Sequence, residues 1–394
     1  MSPANWQDAS ATSKADPAEV GARQSARSSE ADPAGVGAKP RVDSTEAEAE
    51  GVDAKLHVRS SEHRRAEAAP RLGFLGTGWI GRHRMEAIHR SGFGHVAMIC
   101  DPAPEMASAA VESVPGAKVV GPFEEMLSAG LDGIVIATPS ALHAEQAIAA
   151  LESGAAVFCQ KPLGRTADEV ARVVETARKA DLLLEVDLSY RFTTGMQRIR
   201  ELVSAEAIGR VYAADLVFHN AYGPDKDWFY DAHLSGGGCV MDLGIHLVDL
   251  ALWTLGFPAV EEVRARLYQR GELLAPDPPV VEDYGIANLL LQRGVSVRIA
   301  TSWRLHTGCD AHIEASFHGA EGGLRLRNVG GSFYNFVAER FTGTSAETLT
   351  SPPDEWGGRA ATAWAQRLAA GERFDPAAER LIEVAGIIDR IYGR

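Results

Sequence analysis

The run RLGFLGTGWIGRHRMEAIHRSG occupies residues 71–92. Its first part, Leu72–Leu75, is a short apolar segment of the kind that forms a buried strand. It passes directly into Gly76-Thr77-Gly78-Trp79-Ile80-Gly81, and a helical pattern then continues to Gly92. This is G-x-G-x-x-G in the setting that gives it meaning, between a strand and a helix. The first glycine permits a tight turn, the second lets a pyrophosphate approach the backbone, and the third lets helix pack on strand. The helix N-terminus then faces the phosphate charge. The spacing predicts a dinucleotide site at Gly76, Thr77, Gly78, Trp79, Ile80 and Gly81. The next apolar segment, HVAMICD, ends at Asp101, twenty residues beyond Gly81. A carboxylate there accepts hydrogen bonds from the adenosine ribose and repels a 2′-phosphate. No arginine follows in Pro102-Ala103-Pro104, so the reading favours NAD and leaves NADP open.

Downstream, strands and helices alternate. Phe123–Leu127, Ala141–Ser153 and Ala167–Lys179 read as helices; Gly133–Ala137, Ala156–Cys159 and Leu182–Val186 read as strands. Such alternation predicts a parallel sheet with right-handed crossovers, a Rossmann domain over residues 70–190. Ligands of open α/β sheets sit outside the carboxyl ends of strands. Thr138-Pro139 with His143, and Gln160-Lys161, stand at two such ends and are candidate cofactor contacts.

Upstream, the chain changes character. Residues 15–30, 31–46 and 47–62 are tandem copies with a period of sixteen and almost no large apolar side chains. Such copies bury too little to offset the entropy of ordering, which predicts a disordered, low-complexity leader over residues 1–69. The whole chain of 394 residues carries a formal charge of −14, which argues against nucleic acid or an anionic membrane as partner. No apolar run stands out as approaching membrane-spanning length. Cys100, Cys159, Cys239 and Cys309 are scattered without a C-x-x-C pair, a usage that suits reduced thiols, no metal and a cytoplasmic location.

Beyond residue 190 the period shifts to that of strands: Val211–His219, Val260–Gln269, Tyr284–Gln292, Val295–Trp303, His312–His318 and Gly323–Asn328, with Gln292-Arg293-Gly294 as a hairpin turn. This predicts an α+β domain over residues 191–394 with a large open sheet, mainly antiparallel, covered on one face. Helices are expected at Thr362–Ala370 and Pro376–Tyr392. Within this region lies SGGGCVMDLGIHLVDLALWTLG, residues 235–256. On a helical period Asp242, His246, Asp249 and Trp253 share one stripe behind a flexible glycine loop. A carboxylate and an imidazole one turn apart suit acid–base chemistry, with Asp249 and Trp253 assigned to packing. The aromatic and charged loop Asn220–Leu234 leads into this motif and offers Asp227 and Trp228 as substrate contacts.

Four ordered motifs carry a family resemblance: GFLGTGWIG (73–81), TPSALHAEQAIAALESGAAVFCQKPL (138–163), YRF (190–192) and MDLGIHLVDLALWTLG (241–256). Together they resemble the glucose–fructose oxidoreductase/inositol 2-dehydrogenase (Gfo/Idh/MocA) family over residues 70–394. The resemblance implies NAD(P)-dependent hydride transfer to or from a carbinol of a sugar, cyclitol or related polyol. It places the catalytic lysine at Lys161 and the Asp-x-x-x-His pair at Asp242 and His246, with Tyr190 and Arg191 near the substrate. It also implies a homodimer or homotetramer assembled through the open sheet face. One departure stands out: the family's usual Glu-Lys-Pro begins here with Gln160.

The expected mechanism has His246 take the hydroxyl proton near its ordinary pKa of about 6.5 while Lys161 stabilises the developing alkoxide. Asp242 either orients the imidazole or binds a neighbouring hydroxyl. Two other functions are compatible with these residues: redox-assisted glycoside cleavage, and a non-catalytic dinucleotide or sugar sensor.

Overall fold

Between β1 (Arg71–Leu75) and the helix Trp79–Ser91 the chain makes the tight glycine turn that the fingerprint requires. A computed structural model of the protein describes residues 69–394. The repeats, and all but the last residue of the expected disordered leader, lie outside the described residues. β2 (His95–Cys100), β3 (Lys118–Val119), β4 (Gly133–Ile136), β5 (Ala156–Cys159) and β6 (Leu184–Val186) join β1 in one parallel sheet of order β3-β2-β1-β4-β5-β6. The order reverses between β1 and β4, which is where such sheets open a ligand crevice. β4 and β5 are wholly buried, as GIVI and AVFC require when helices cover both faces. Gly92 closes the first helix in the left-handed region at φ 72°. Thr166 caps the helix Ala167–Ala180, its side chain accepting from the Glu169 amide. A helix at Pro104–Ser113 adds to those expected from sequence; Pro104 stands at its first turn, where a missing amide costs nothing.

The second sheet contains β7 (Val211–Asn220), β8 (Val260–Gln269), β9 (Glu272–Leu273), β10 (Tyr284–Leu291), β11 (Val295–Ser302), β12 (Ala311–Gly319), β13 (Gly323–Asn328), β14 (Phe336–Thr342) and β15 (Ser345–Thr350). Its order is β15-β14-β13-β12-β7-β11-β10-β8-β9, antiparallel except where β7 lies parallel to β11. β14 and β15 are not predicted from the pattern of residues, and β15 (SAETLT) shows why: it is an exposed edge with little apolar signal. Along β7 the residues Ala214, Leu216 and Phe218 face a core shared with the helices Thr194–Ser204 and Ile245–Thr254, while alternate residues face outward. The helix Arg380–Tyr392 contributes Val384, Ile387, Ile388 and Ile391 to the same core.

The expectation about apolar runs is corrected. Ala232–Thr254, 23 residues, is long and apolar enough to cross a membrane by length and composition, yet its most apolar window is 89% buried within the protein. Its apolarity serves burial on all sides.

Candidate active site

Lys161 follows β5, and Asp242 lies in a π-helical turn, Val240–Gly244, that leads into the helix Ile245–Thr254. Lys161 Nζ donates to Asp242 Oδ1 and to the Asp242 carbonyl, both at 2.7 Å. The other carboxylate oxygen accepts from Trp303 Nε1 at 3.1 Å. Asp242 is therefore the counter-ion of the lysine, held in place by an indole. Neither role left open for it from sequence describes this geometry. Both members of the pair keep some exposure, 19% for Lys161 and 15% for Asp242, so the pair borders solvent.

His246 is 6% exposed and meets the ring of Tyr190 edge-on, centroids 4.9 Å apart. Burial, and then the positive charges of Lys161 and Arg84, hold its imidazole well below the ordinary 6.5. The expectation of a near-normal histidine is corrected: His246 is neutral at neutral pH and presents a base, not an acid.

The glycines before Asp242 are not a flexible loop. Of the run Gly236–Gly238, which follows Ser235, only Gly236 sits clearly in the left-handed region, at φ 83°. A Cβ on Gly238 would lie 1.9 Å from the Glu282 carbonyl oxygen. The buried Glu282 carboxylate accepts from the amides of Gly238 at 2.9 Å and Val240 at 2.8 Å. It also accepts from the Tyr392 hydroxyl at 2.8 Å, and that hydroxyl accepts from the Met241 amide at 3.1 Å. These contacts clamp the start of the π-turn from both sides.

At the nucleotide end the three glycines divide as the fingerprint predicts. A Cβ on Gly76, at φ 84°, would meet the Ala137 carbonyl at 2.6 Å, and one on Gly81 would meet the Gly76 carbonyl at 2.2 Å. At Gly78 a Cβ would meet nothing within 4 Å. The outer glycines serve turn and packing, and the middle one opens onto space where a pyrophosphate fits against the backbone. Asp101 Oδ2 accepts from the Thr77 amide at 2.6 Å and its hydroxyl at 3.1 Å. Trp79 is exposed and stacks on His83, centroids 5.8 Å apart, and Ile80 stands beside it, half-buried. Thr138 Oγ1 donates to Gln146 at 2.5 Å, and Pro139 precedes the helix Ser140–Glu152. His143 is corrected as a cofactor contact. It is fully buried, its two ring nitrogens 2.7 Å from the carbonyls of Thr138 and Pro162, and it ties the loops after β4 and β5 together.

Arg191 is likewise corrected as a substrate contact. Its guanidinium forms a two-pronged pair with the buried Asp249, Nε to Oδ2 at 2.8 Å, and lies 5.8 Å from the Trp253 ring. Asp249 and Trp253 thus hold the helix, as expected. Tyr190 stays at the site against His246, with Trp356 at 4.9 Å on its other side. Asp227 and Trp228 fall in a single turn, Asp227–Tyr230, with Asp227 exposed and Trp228 stacked on Phe229 at 3.8 Å. Phe229 and Tyr230 pack edge-on against Trp303, so this turn reaches Asp242 through the indole. Trp303, Trp356, Arg84 and Asp187 are missed by sequence reasoning, because each is brought to the site from a separate element. Among the described residues no group of three or more His, Cys, Asp or Glu is placed to hold a metal.

Two family descriptions match this chain in the same order. "Oxidoreductase family, NAD-binding Rossmann fold" covers residues 71–188, and "GFO/IDH/MocA C-terminal domain" covers residues 196–325. D-glucoside 3-dehydrogenase of Escherichia coli (strain K12) is 30% identical over 263 residues, 64% of this chain and 72% of its own length. The chain belongs to the Gfo/Idh/MocA oxidoreductase family. Another member, inositol 2-dehydrogenase of Acidiphilium cryptum (strain JF-5), is 30% identical over 217 residues, 54% of this chain and 62% of its own. The fold agrees with levoglucosan dehydrogenase in complex with NADH and levoglucosan, at a TM-score of 0.70 and 21% identity over 82% of this chain and 96% of that one. It agrees equally with KijD10, a 3-ketoreductase from Actinomadura kijaniata in complex with NADP and TDP-benzene, at a TM-score of 0.70 and 22% identity, covering 82% of this chain and 97% of that one. Membership makes the protein an NAD(P)-dependent oxidoreductase of sugar or polyol hydroxyl groups.

Proposed function

We propose that the protein transfers a hydride between NAD and a ring carbinol of a sugar or cyclitol, with His246 and Lys161 acting on the reacting oxygen. The observation that carries this reading is the bridge between the two halves: Lys161 Nζ lies 2.7 Å from Asp242 Oδ1, at the start of the helix that bears the buried His246. When bound, the nicotinamide supplies the hydride acceptor or donor. The neutral imidazole of His246 takes the hydroxyl proton during oxidation and returns it during reduction. Lys161, oriented by Asp242, has one ammonium hydrogen beyond its two bonds to that residue, and directs it at the oxygen that gains negative charge. Trp303 holds Asp242 so that the lysine does not wander. Partial burial of the pair lowers the effective dielectric around it below that of water and strengthens these interactions.

The preference for NAD rests on Asp101, whose carboxylate stands at the end of β2 beside the fingerprint. Asp101→Ser is expected to lower the NAD-over-NADP preference at least about tenfold, read from kcat/KM for each cofactor. The free cysteines support a reducing, cytoplasmic setting. The outward face of the second sheet supports a homo-oligomer. The reading is tested by following nicotinamide absorbance with purified protein, NAD or NADP, and a panel of cyclitols, aldoses and glycosides. Substrate-dependent formation of reduced cofactor is the expected result; hydrolysis of a glycoside with none accumulating would favour redox-assisted cleavage instead.

A further inference from the structure

A buried charge cluster lies behind Lys161, and only its Arg84 enters the chemistry above, through the charge that helps keep His246 neutral. β5 and β6 pair in register to Cys159 and Val186, so the next residues, Gln160 and Asp187, emerge side by side at the carboxyl end of the sheet. The Asp187 amide donates to the Cys159 carbonyl at 2.9 Å, which fixes that juxtaposition. Asp187 is 1% exposed, and its Oδ2 accepts from Arg84 Nε at 2.6 Å and from Gln160 Nε2. Arg84, 5% exposed, comes from the helix that follows the glycine fingerprint. Among the described residues the other oxygen of Asp187, Oδ1, is buried without a partner. A buried ion pair with an orphaned acceptor contributes little to stability, since desolvation of both ions opposes their attraction. Its location therefore calls for a functional reason.

We infer that Asp187 and Gln160 act as one positioning pair for Lys161, with the negative charge carried by Asp187 and the amide at 160 required by it. An amide donates to the carboxylate beside it. A carboxylate at 160, the residue of the more usual Glu-Lys-Pro, would instead set two anions against the one guanidinium of Arg84. The charge has in effect moved one strand along the sheet. Arg84 then links the helix of the fingerprint to the peptide that carries Lys161, so seating of a dinucleotide and placement of the lysine depend on the same three side chains. Asp187 does not reach the reacting atoms; it acts through Gln160 and Arg84.

The inference rests on the proposed dinucleotide-dependent reaction, and a two-residue cycle on the full chain separates the two. Wild type, Gln160→Glu, Asp187→Asn and the double variant are compared by melting temperature, by NADH affinity from fluorescence titration, and by kcat and KM with an active polyol. Each single change is expected to lower kcat by roughly tenfold to a hundredfold, the range typical of residues that orient a functional group from behind. The double variant, which returns the carboxylate to position 160 and leaves an amide at 187, is expected to recover most of that loss and to bind NADH within severalfold of wild type. Losses that multiply in the double variant, or a Gln160→Glu enzyme equal to wild type in both kcat and NADH affinity, would overturn the inference. If Asp187→Asn alone does not fold, the comparison of Gln160→Glu with the double variant decides it. Failure of the underlying reading shows differently, as wild-type protein that does not bind NADH.

Discussion

At the scale of single residues, the site places one flexible cation against one fixed carboxylate. Lys161 reaches across from the nucleotide half to Asp242, which Trp303 holds from the other side. Lys161→Ala and His246→Ala are each expected to lower kcat by roughly a hundredfold to ten-thousandfold, with NADH binding retained in a fluorescence titration. Trp303→Phe, which removes the indole donor together with part of the buried ring, is expected to cost less, about tenfold in kcat. The state of His246 sets the pH profile. Its pKa is depressed by burial and by two cations, so it stays an unprotonated base as the pH falls through 6.5. The kcat/KM for polyol oxidation is therefore expected to remain flat through that value, with the acid limb below it. A break at 6.5 that disappears in His246→Ala would contradict this assignment. None of these partners could be joined from sequence alone except by resemblance. Lys161 and His246 carried motifs, whereas Trp303 ends an ordinary strand.

At the scale of elements, the π-turn and its supports explain how the motif is aimed. The sequence pattern puts Asp242, His246, Asp249 and Trp253 on one α-helical stripe, but the first turn is wound more widely and directs Asp242 toward Lys161. Glu282 holds that turn through two amides and the Tyr392 hydroxyl. Glu282→Ala strands these three buried donors and is expected to destabilise the fold by about 3 kcal/mol or more, at roughly 1 kcal/mol or more for each. Tyr392→Phe removes two bonds, the one donated to Glu282 and the one accepted from the Met241 amide, and is expected to cost about 2 kcal/mol. Chemical denaturation of each variant provides the check, and a Glu282→Ala loss no larger than that of Tyr392→Phe would refute the clamp. Gly238→Ala drives a methyl into the Glu282 carbonyl and is expected to abolish soluble expression or activity.

At the scale of the whole molecule, the second sheet has one broad face that no other element among the described residues covers. Across it Asn288, Arg298, Asp215, Ser316, Arg325 and Glu339 stand in one row of paired residues, with Arg298 donating to Asp215 at 2.6 Å. Next to that row Leu290 is 37% exposed. The exposed Leu290 and half-buried Ile286 beside this row suit the proposed contact with a second copy. On the proposed homo-oligomer, Leu290→Arg with Ile286→Arg is expected to shift the protein toward monomer in light scattering, with its secondary structure intact. The same face contains His219, stacked between Tyr284 and His312, whose pKa is pushed down to about 4 by burial and by His312. In the unfolded chain it binds a proton near about 6.5. Between pH 6.5 and about 4 the unfolded state thus holds more protons at His219, and stability falls as the pH falls through this window. His246 adds to the trend in the same direction. A melting temperature that holds constant from about pH 7 to about pH 5 would count against both assignments.

Local sequence was sufficient for most of the dinucleotide half, the helix Pro104–Ser113 and the two-residue β3 excepted. Its strands, helices and glycines are specified by periodicity and by steric needs that neighbouring residues express, so the fingerprint and the element order were readable before any contact was known. Local sequence also marked Lys161, Asp242 and His246, because motifs of fixed spacing carry them. Tertiary structure alone decided what those residues do to one another: that Asp242 serves the lysine, that His246 is held neutral, that Arg191 and His143 are structural, and that Gln160 answers to Asp187. Each of these depends on charges and donors brought together from distant parts of the chain, where burial multiplies their interaction. Spacing along the chain contains no record of such meetings.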